Sequence, residues 1–274
     1  MTFRTRISSL QRQSGSLLCV GLDTDPAKIP AHLRTKKNGV TEFNKRIIDA
    51  TKDIVCAYKI NFAFYETMGK EGWTIIEKTR SMIPSSILTI ADAKRGDIGN
   101  STGYYAEAIL NRLDFDSITV APYMGVDSVQ PFLQNEDKGV FLLALTSNNG
   151  AYDFQYTKIG KRRLFEEVVV TSQHWTDKNN LGFVVGATKA KDIASVRKLA
   201  PHAPFLVPGI GAQGGSIRDV VSYGCTKDGF GVLINASRSI LYASSGKDFA
   251  AAARTESERL NAEINSARKQ FTKF

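Results

Sequence analysis

Hydrophobic positions along the chain fall into two patterns that alternate from one end to the other. Short, nearly unbroken apolar runs occupy 17–23 (LLCVGLD), 54–61 (IVCAYKIN), 87–94 (ILTIADAK) and 117–122 (SITVAP). Four more follow at 139–147 (GVFLLALTS), 181–188 (LGFVVGAT), 204–211 (PFLVPGIG) and 230–238 (FGVLINASR). Their length and content of β-branched residues predict strands. Between them the apolar residues recur at helical spacing. Helices are predicted over 41–53, 72–83, 101–112, 160–175, 191–199 and 247–270, with Phe43, Ile47 and Ile48 on one face of the first and Thr41 as its cap. Strands that are apolar along their whole length and alternate with helices imply a parallel sheet covered on its outer face. Eight such units in this length imply an α/β fold, a (β/α)8 TIM barrel; a doubly wound open sheet is the alternative. No Pro/Gly/Ser-rich linker breaks the chain, so residues 1–274 read as a single domain, with an N-terminal capping helix at about 3–12 and a long C-terminal helix at about 247–270.

In such a barrel the chemistry gathers at the C-terminal ends of the strands. The polar residues there are Asp23 on the first strand, Lys59 and Asn61 on the second, Asp92 and Lys94 on the third, Thr146 and Ser147 on the fifth, and Asn235, Ser237 and Arg238 on the eighth. Side chains alternate along a strand, so Asp92 and Lys94 face one side, Ala93 and Arg95 the other. Structural ion pairs rimming a barrel would also account for one Asp-x-Lys. Charges at four strand ends go further, because charges near a desolvated mouth are costly unless paired or used. An interleaved Lys–Asp–Lys array satisfies its own charges and holds a lysine ready to deliver a proton.

The segment VPGIGAQGG (207–215) contains G-x-G-x-x-G, but it follows the seventh strand, and the eighth ends in Arg238 rather than an acid. A dinucleotide fingerprint belongs in the first βα unit. A loop offering backbone N–H groups to a phosphate suits this position better, with Arg238 as the charged fork and Gln213 able to close over the anion.

Composition narrows the picture further. The chain has 274 residues, 42% hydrophobic and 23% charged, which is ordinary for a globular protein. Three cysteines, Cys19, Cys56 and Cys225, show no metal-binding spacing and read as small buried hydrophobes in a reducing, cytoplasmic setting. The three histidines, His32, His174 and His202, sit in no motif, which leaves a Ser-His-Asp or zinc mechanism little to use; no metal site and no cofactor are expected. No apolar run reaches membrane-spanning length. The first fifteen residues are basic and acid-free, as in a mitochondrial transit peptide, yet Phe3, Ile7 and Leu10 recur at helical spacing, as in an amphipathic capping helix. The net charge of +9 is dispersed rather than striped with aromatics, so an anionic small substrate, or plain solubility, explains it as well as nucleic acid does.

LCVGLDTDP, YKIN, ADAKRGDIGNS, ALTSNNGA, PGIGAQGG and NASRSI follow one another along most of the chain. In this order they resemble the orotidine 5′-phosphate decarboxylase family, in its longer, mainly bacterial branch, over roughly residues 3–245. The resemblance implies cofactor-independent decarboxylation of orotidine 5′-monophosphate. It implies that Lys59, Asp92, Lys94 and Asp97 form the family's charged tetrad, with Asp97 contributed across a homodimer interface together with Ile98 and Ser101. Asp23 would bind the ribose hydroxyls, Ser147 the pyrimidine amide, and Pro208 would line the pocket. Gln213 and Arg238, with the backbone near Ser237, would hold the 5′-phosphate, and Lys94 would protonate C6. Two positions depart from the family: Ser101 stands where Thr is frequent, and Ser237 where many members have Gly. Some lineages fuse this barrel to orotate phosphoribosyltransferase, and SARKQFTKF at the C-terminal end is compatible with such a junction. The competing readings are a metal-dependent relative acting on a sugar phosphate through an enediolate, against which Lys59 and Asn61 stand where a metal-binding acid is usual, and a nucleic-acid or ligand-binding protein suggested by the charge.

Overall fold

The computed structural model describes residues 1–187, 190–210 and 215–271. Eight parallel strands close into a barrel: β1 (Leu18–Gly21), β2 (Ala57–Asn61), β3 (Leu88–Arg95), β4 (Ser117–Val120), β5 (Gly139–Leu145), β6 (Leu181–Val185), β7 (Phe205–Pro208) and β8 (Val232–Ala236). Each pairs with its neighbours in sequence, and β8 closes on β1 with Cys19 opposite Asn235. The predicted barrel is therefore present with all eight strands. Most are shorter than their apolar runs; except at β2 and β3, the last residues of the run pass into the loops that carry the site.

Apolar residues on the two faces of the strands build two cores. Outward residues such as Val20, Tyr58, Ile60 and Ile118 pack under the helices. Inward residues, Cys19, Ala57, Ile90, Phe141, Val184, Leu206 and Leu233 among them, fill the lower half of the barrel. Helix α1 (Phe3–Ser14) seals that end. Thr2 caps its start, and Gly15, at φ 60°, ends it in the left-handed conformation that glycine adopts at low cost. Its Phe3, Ile7 and Leu10 insert into the interior, and the Phe3 ring meets Phe141 edge-on at 5.8 Å. Gly139 gives Phe3 its room: a Cβ there would lie 2.1 Å from the ring. Buried Gln11 donates to the Val232 carbonyl at 2.7 Å and accepts from the Gly231 amide at 3.0 Å, so the plug also satisfies strand-end backbone groups.

The other principal helices are α2 (Gly39–Thr51), α3 (Lys70–Met82), α4 (Gly99–Ala106), α5 (Leu164–Ser172), α6 (Ala190–Leu199), α7 (Ile217–Gly224) and α8 (Phe249–Phe271). Four differ from expectation. Thr41 does not cap α2, which begins two residues earlier because Gly39 packs against the Leu33 carbonyl, where a Cβ would approach to 2.0 Å. Residues 160–163 are not helical: Gly160, at φ 60°, turns Lys158–Ile159 back against Arg162–Arg163 as a small hairpin, and α5 starts only at Leu164. The segment predicted as one helix over 101–112 is α-helical to Ala106 and then widens into a π-turn, Glu107–Arg112. Helix α7 was not expected. Ser216 caps it, and Ile217, Val220 and Val221 bury its inner face.

Candidate active site

At the C-terminal end of the barrel a cavity of about 390 Å³ opens between β1–β3 on one side and β5–β8 on the other. One wall is charged, from Asp23, Lys59, Asp92 and Lys94; the opposite wall includes apolar Leu143, Val184 and Leu206. The charged wall follows from strand register: Gly21 lies beside Lys59 and Asn61 beside Asp92. Lys59 Nζ donates to Asp23 Oδ1 at 2.8 Å and lies 3.1 Å from Asp92 Oδ2. Lys94 Nζ donates to Asp92 Oδ1 at 2.7 Å. The array grades from inside to outside, since the Lys59 and Asp92 side chains are 4% and 10% exposed and that of Lys94 is 48% exposed. The ammonium nearest solvent is thus the one free to meet a ligand.

Burial acts against every charge here, and the partners overcome it. Burial by itself favours a neutral Lys59, but Asp23 and Asp92 hold it protonated well above the usual lysine range. Burial by itself raises Asp92, yet Lys59 and Lys94 pull its carboxyl down to about 2. A carboxylate fixed between two ammonium groups is preorganised for charge that changes during a reaction.

Asp23 is also held from its far side, where Ser237 Oγ donates to its Oδ2 at 2.7 Å. Gly21 allows that contact: a Cβ there would lie 2.0 Å from Ser237 Oγ. Arg238 opens the short helix Arg238–Leu241 and lines the cavity, and among the described residues its guanidinium has no hydrogen-bond or ion-pair partner. Pro208 and Ser147 line the same cavity. The glycine loop is pinned at both ends, by Gly209 at φ 103° and by Gly215 N–H donating to the Gly209 carbonyl at 3.1 Å. Gln213 lies outside the described residues.

Asp97, Ile98 and Ser101 are not brought to this cavity within the chain. They follow the end of β3; Asp97 Oδ1 accepts from the Ile98 amide at 2.8 Å, and Ile98 is 63% exposed. Asp97 and Ser101 line a separate surface depression with Trp73, Tyr104 and Tyr105. Arg95 lines the same depression, paired with Glu66 and lying 5.5 Å over the Tyr105 ring. Three of the four members of the predicted tetrad therefore meet in one chain. Polar residues with a place in the site were missed: Asn148 and Ser239 line the cavity, and Gln155 and Thr119 support it. Gln155 accepts from the Thr146 amide at 2.8 Å and so holds the end of β5 beside Ser147. Thr119, on β4, bonds to both Asp92 and Lys94; the period-2 pattern of SITV places it inward with Ser117, which was the available signal. Among the described residues no group of three or more His, Cys, Asp or Glu side chains is placed to hold a metal ion.

Residues 16–254 match the model of the Orotidine 5'-phosphate decarboxylase / HUMPS family. The chain belongs to this family. Relatives named orotidine 5'-phosphate decarboxylase include one from Flavobacterium johnsoniae, 52% identical over 92% of this chain and 93% of its own. Another, from Dehalococcoides mccartyi (strain CBDB1), is 46% identical over 99% of this chain and 100% of its own. Among solved structures, Leishmania donovani OMP decarboxylase superposes with a TM-score of 0.87 at 38% identity, covering 98% of this chain and all of that one. The Leishmania donovani UMP synthase gives the same TM-score at 39% identity, but the match covers only 57% of that chain. Membership of the orotidine 5'-phosphate decarboxylase family agrees with the expected barrel.

Proposed function

We infer that the protein decarboxylates orotidine 5′-monophosphate to uridine 5′-monophosphate, the last step of de novo pyrimidine biosynthesis. The observation that carries the site assignment is the Lys59–Asp92–Lys94 array on one wall of a cavity whose far rim presents Arg238. Breaking the bond from C6 to the carboxylate releases CO2 and leaves an electron pair on C6. Asp92 sits where it crowds the departing carboxylate, Lys94 stabilises the carbanion and transfers a proton from Nζ to C6, and solvent returns a proton to Lys94. Lys59 keeps Asp92 ionised and in place. Asp23 exchanges its Ser237 contact for the ribose hydroxyls, Ser147 meets the pyrimidine amide, and Pro208 bounds the ring. Arg238, Gln213 and the backbone near Ser237 take the phosphate, so that binding far from C6 contributes to the chemical step.

Asp97, Ile98 and Ser101 act in the site of a second copy in a homodimer. What supports this is their place on an exposed face beside Trp73 and Tyr104 rather than in their own cavity. The partial coverage of the Leishmania donovani UMP synthase supports association with, or fusion to, orotate phosphoribosyltransferase. Three unpaired cysteines support a cytoplasmic setting, and no helix among the described residues is long and apolar enough to cross a membrane. An absorbance assay with orotidine 5′-monophosphate tests the reading. Turnover unchanged by EDTA is expected; turnover abolished by EDTA and restored by a divalent cation overturns it.

A further inference from the structure

The β3–β4 ladder breaks at the reacting pair. Ala91 is in register with Ile118 and Arg95 with Val120, so Asp92, Ala93 and Lys94 together face the single residue Thr119. Such a bulge re-aims side chains and removes ladder partners. Lys94 carries its cost, with φ at 46°, in the left-handed region that a lysine rarely occupies. Simple alternation would leave the Lys94 amide to the ladder; here that amide donates to Thr119 Oγ1 at 3.0 Å. The same hydroxyl donates to Asp92 Oδ1 at 3.0 Å, the oxygen that accepts from Lys94 Nζ. Thr119 is 1% exposed. One hydroxyl therefore ties together the backbone of Lys94 and the carboxylate that receives its side chain.

We propose that Thr119 is a positioning residue for decarboxylation, holding Lys94 in its left-handed backbone conformation and Asp92 Oδ1 in the orientation that aims the Lys94 ammonium at C6. The inference rests on the decarboxylase reading and deepens it. No atom of Thr119 needs to touch substrate. Its hydroxyl takes the place of the lost ladder acceptor and completes the set of donors around Asp92 (two ammonium groups and one hydroxyl). Valine has the same shape and suits a strand, but it leaves the Lys94 amide without an acceptor and Asp92 one donor short. Serine keeps both bonds.

The test compares Thr119→Val with Thr119→Ser. For T119V, kcat is expected to fall about 30- to 100-fold while KM and the Kd for uridine 5′-monophosphate stay within about threefold, because binding uses other groups. T119S is expected to retain kcat within about threefold. A crystal structure of T119V is expected to show the Lys94 ammonium withdrawn from Asp92 or its φ returned to the negative region. Unchanged kcat in T119V, or equal losses in kcat and ligand affinity in both variants, overturns the proposal. Should the wild-type protein fail to turn over orotidine 5′-monophosphate, the functional reading falls; the Lys94 geometry in the T119V crystal still decides the positioning role, with an unmoved Lys94 counting against it.

Discussion

The two ends of the barrel are built from the same strands and hold opposite chemistry. On β2, Ala57 faces the floor and Lys59 the mouth; on β3, Leu88 and Ile90 face the floor and Asp92 the mouth; on β8, Leu233 lies below Asn235. A step of two residues along one face carries the chain from a dry interior to a charged rim. The floor is closed by Phe3, Ile7 and Leu10 of α1, all nearly inaccessible, and contributes through the burial of apolar area. The mouth keeps ionised groups that desolvation disfavours; Asp23, Lys59, Asp92 and Lys94 persist there because each has an opposite charge within about hydrogen-bond reach. Stability and reactivity are thus separated along the barrel axis, and changes at one end should leave the property of the other largely intact.

The sharpest way to break that separation is at Lys94. Lys94→Ala is expected to lower turnover of orotidine 5′-monophosphate by about 10⁴-fold, since it removes both the charge facing the carbanion and the proton donor. Its side chain is half exposed, so thermal unfolding should shift by no more than a few degrees. Near-normal turnover in this variant sinks the mechanism. The converse variant lies at the floor. Phe3→Ala empties a fully buried ring site and should cost about 3–5 kcal/mol of stability, read in urea unfolding. Its kcat at a temperature where it remains folded should match the wild type within about twofold; a large loss there would mean that the floor reaches the site after all.

A smaller effect is expected at the phosphate rim. Arg238→Gln removes the cation but keeps a hydrogen-bonding side chain, and kcat/KM should fall about 10- to 100-fold, with the unfolding midpoint unchanged because the guanidinium has no partner to lose among the described residues. A loss no greater than twofold would move the phosphate site elsewhere.

What the sequence made legible follows the same division. Uniformly apolar strands alternating with amphipathic helices were enough to place all eight strands, because burial on both faces leaves that pattern whatever the sequence of the loops. The strand-end polar residues were legible for the same reason: a charge closing an apolar run stands out. The start of α5 was missed because its signal is conformational, a glycine turn at 160 that a helical period runs straight across. Helix α7 was hidden behind the glycine-rich loop that precedes it. Thr119 escaped because a hydroxyl in a short, buried strand is unremarkable until the ladder opposite it breaks, and alternation gave the right side for Asp92 and Lys94 without showing the bulge that puts Lys94 there.

The finest test of the mouth is its response to acid. Asp92 is depressed to about 2 from an ordinary value of 3.8, burial being more than offset by Lys59 and Lys94. A carboxyl depressed on folding stabilises the native state fully above its unfolded value and loses that contribution as pH falls through the folded one. The window here is therefore from about pH 4 down to about pH 2, and the stabilisation lost across it is about 2 kcal/mol. Asp92→Asn cannot titrate, so the difference in unfolding free energy between wild type and variant should change by that amount across the window, while the carboxylates common to both cancel. The sign is fixed: the wild type should lose stability relative to the variant as the solution becomes more acidic. Parallel curves between pH 4 and pH 2 would mean that Asp92 is no more favourably paired in the folded chain than in the unfolded one, and the mouth would then hold its charges by geometry without electrostatic gain.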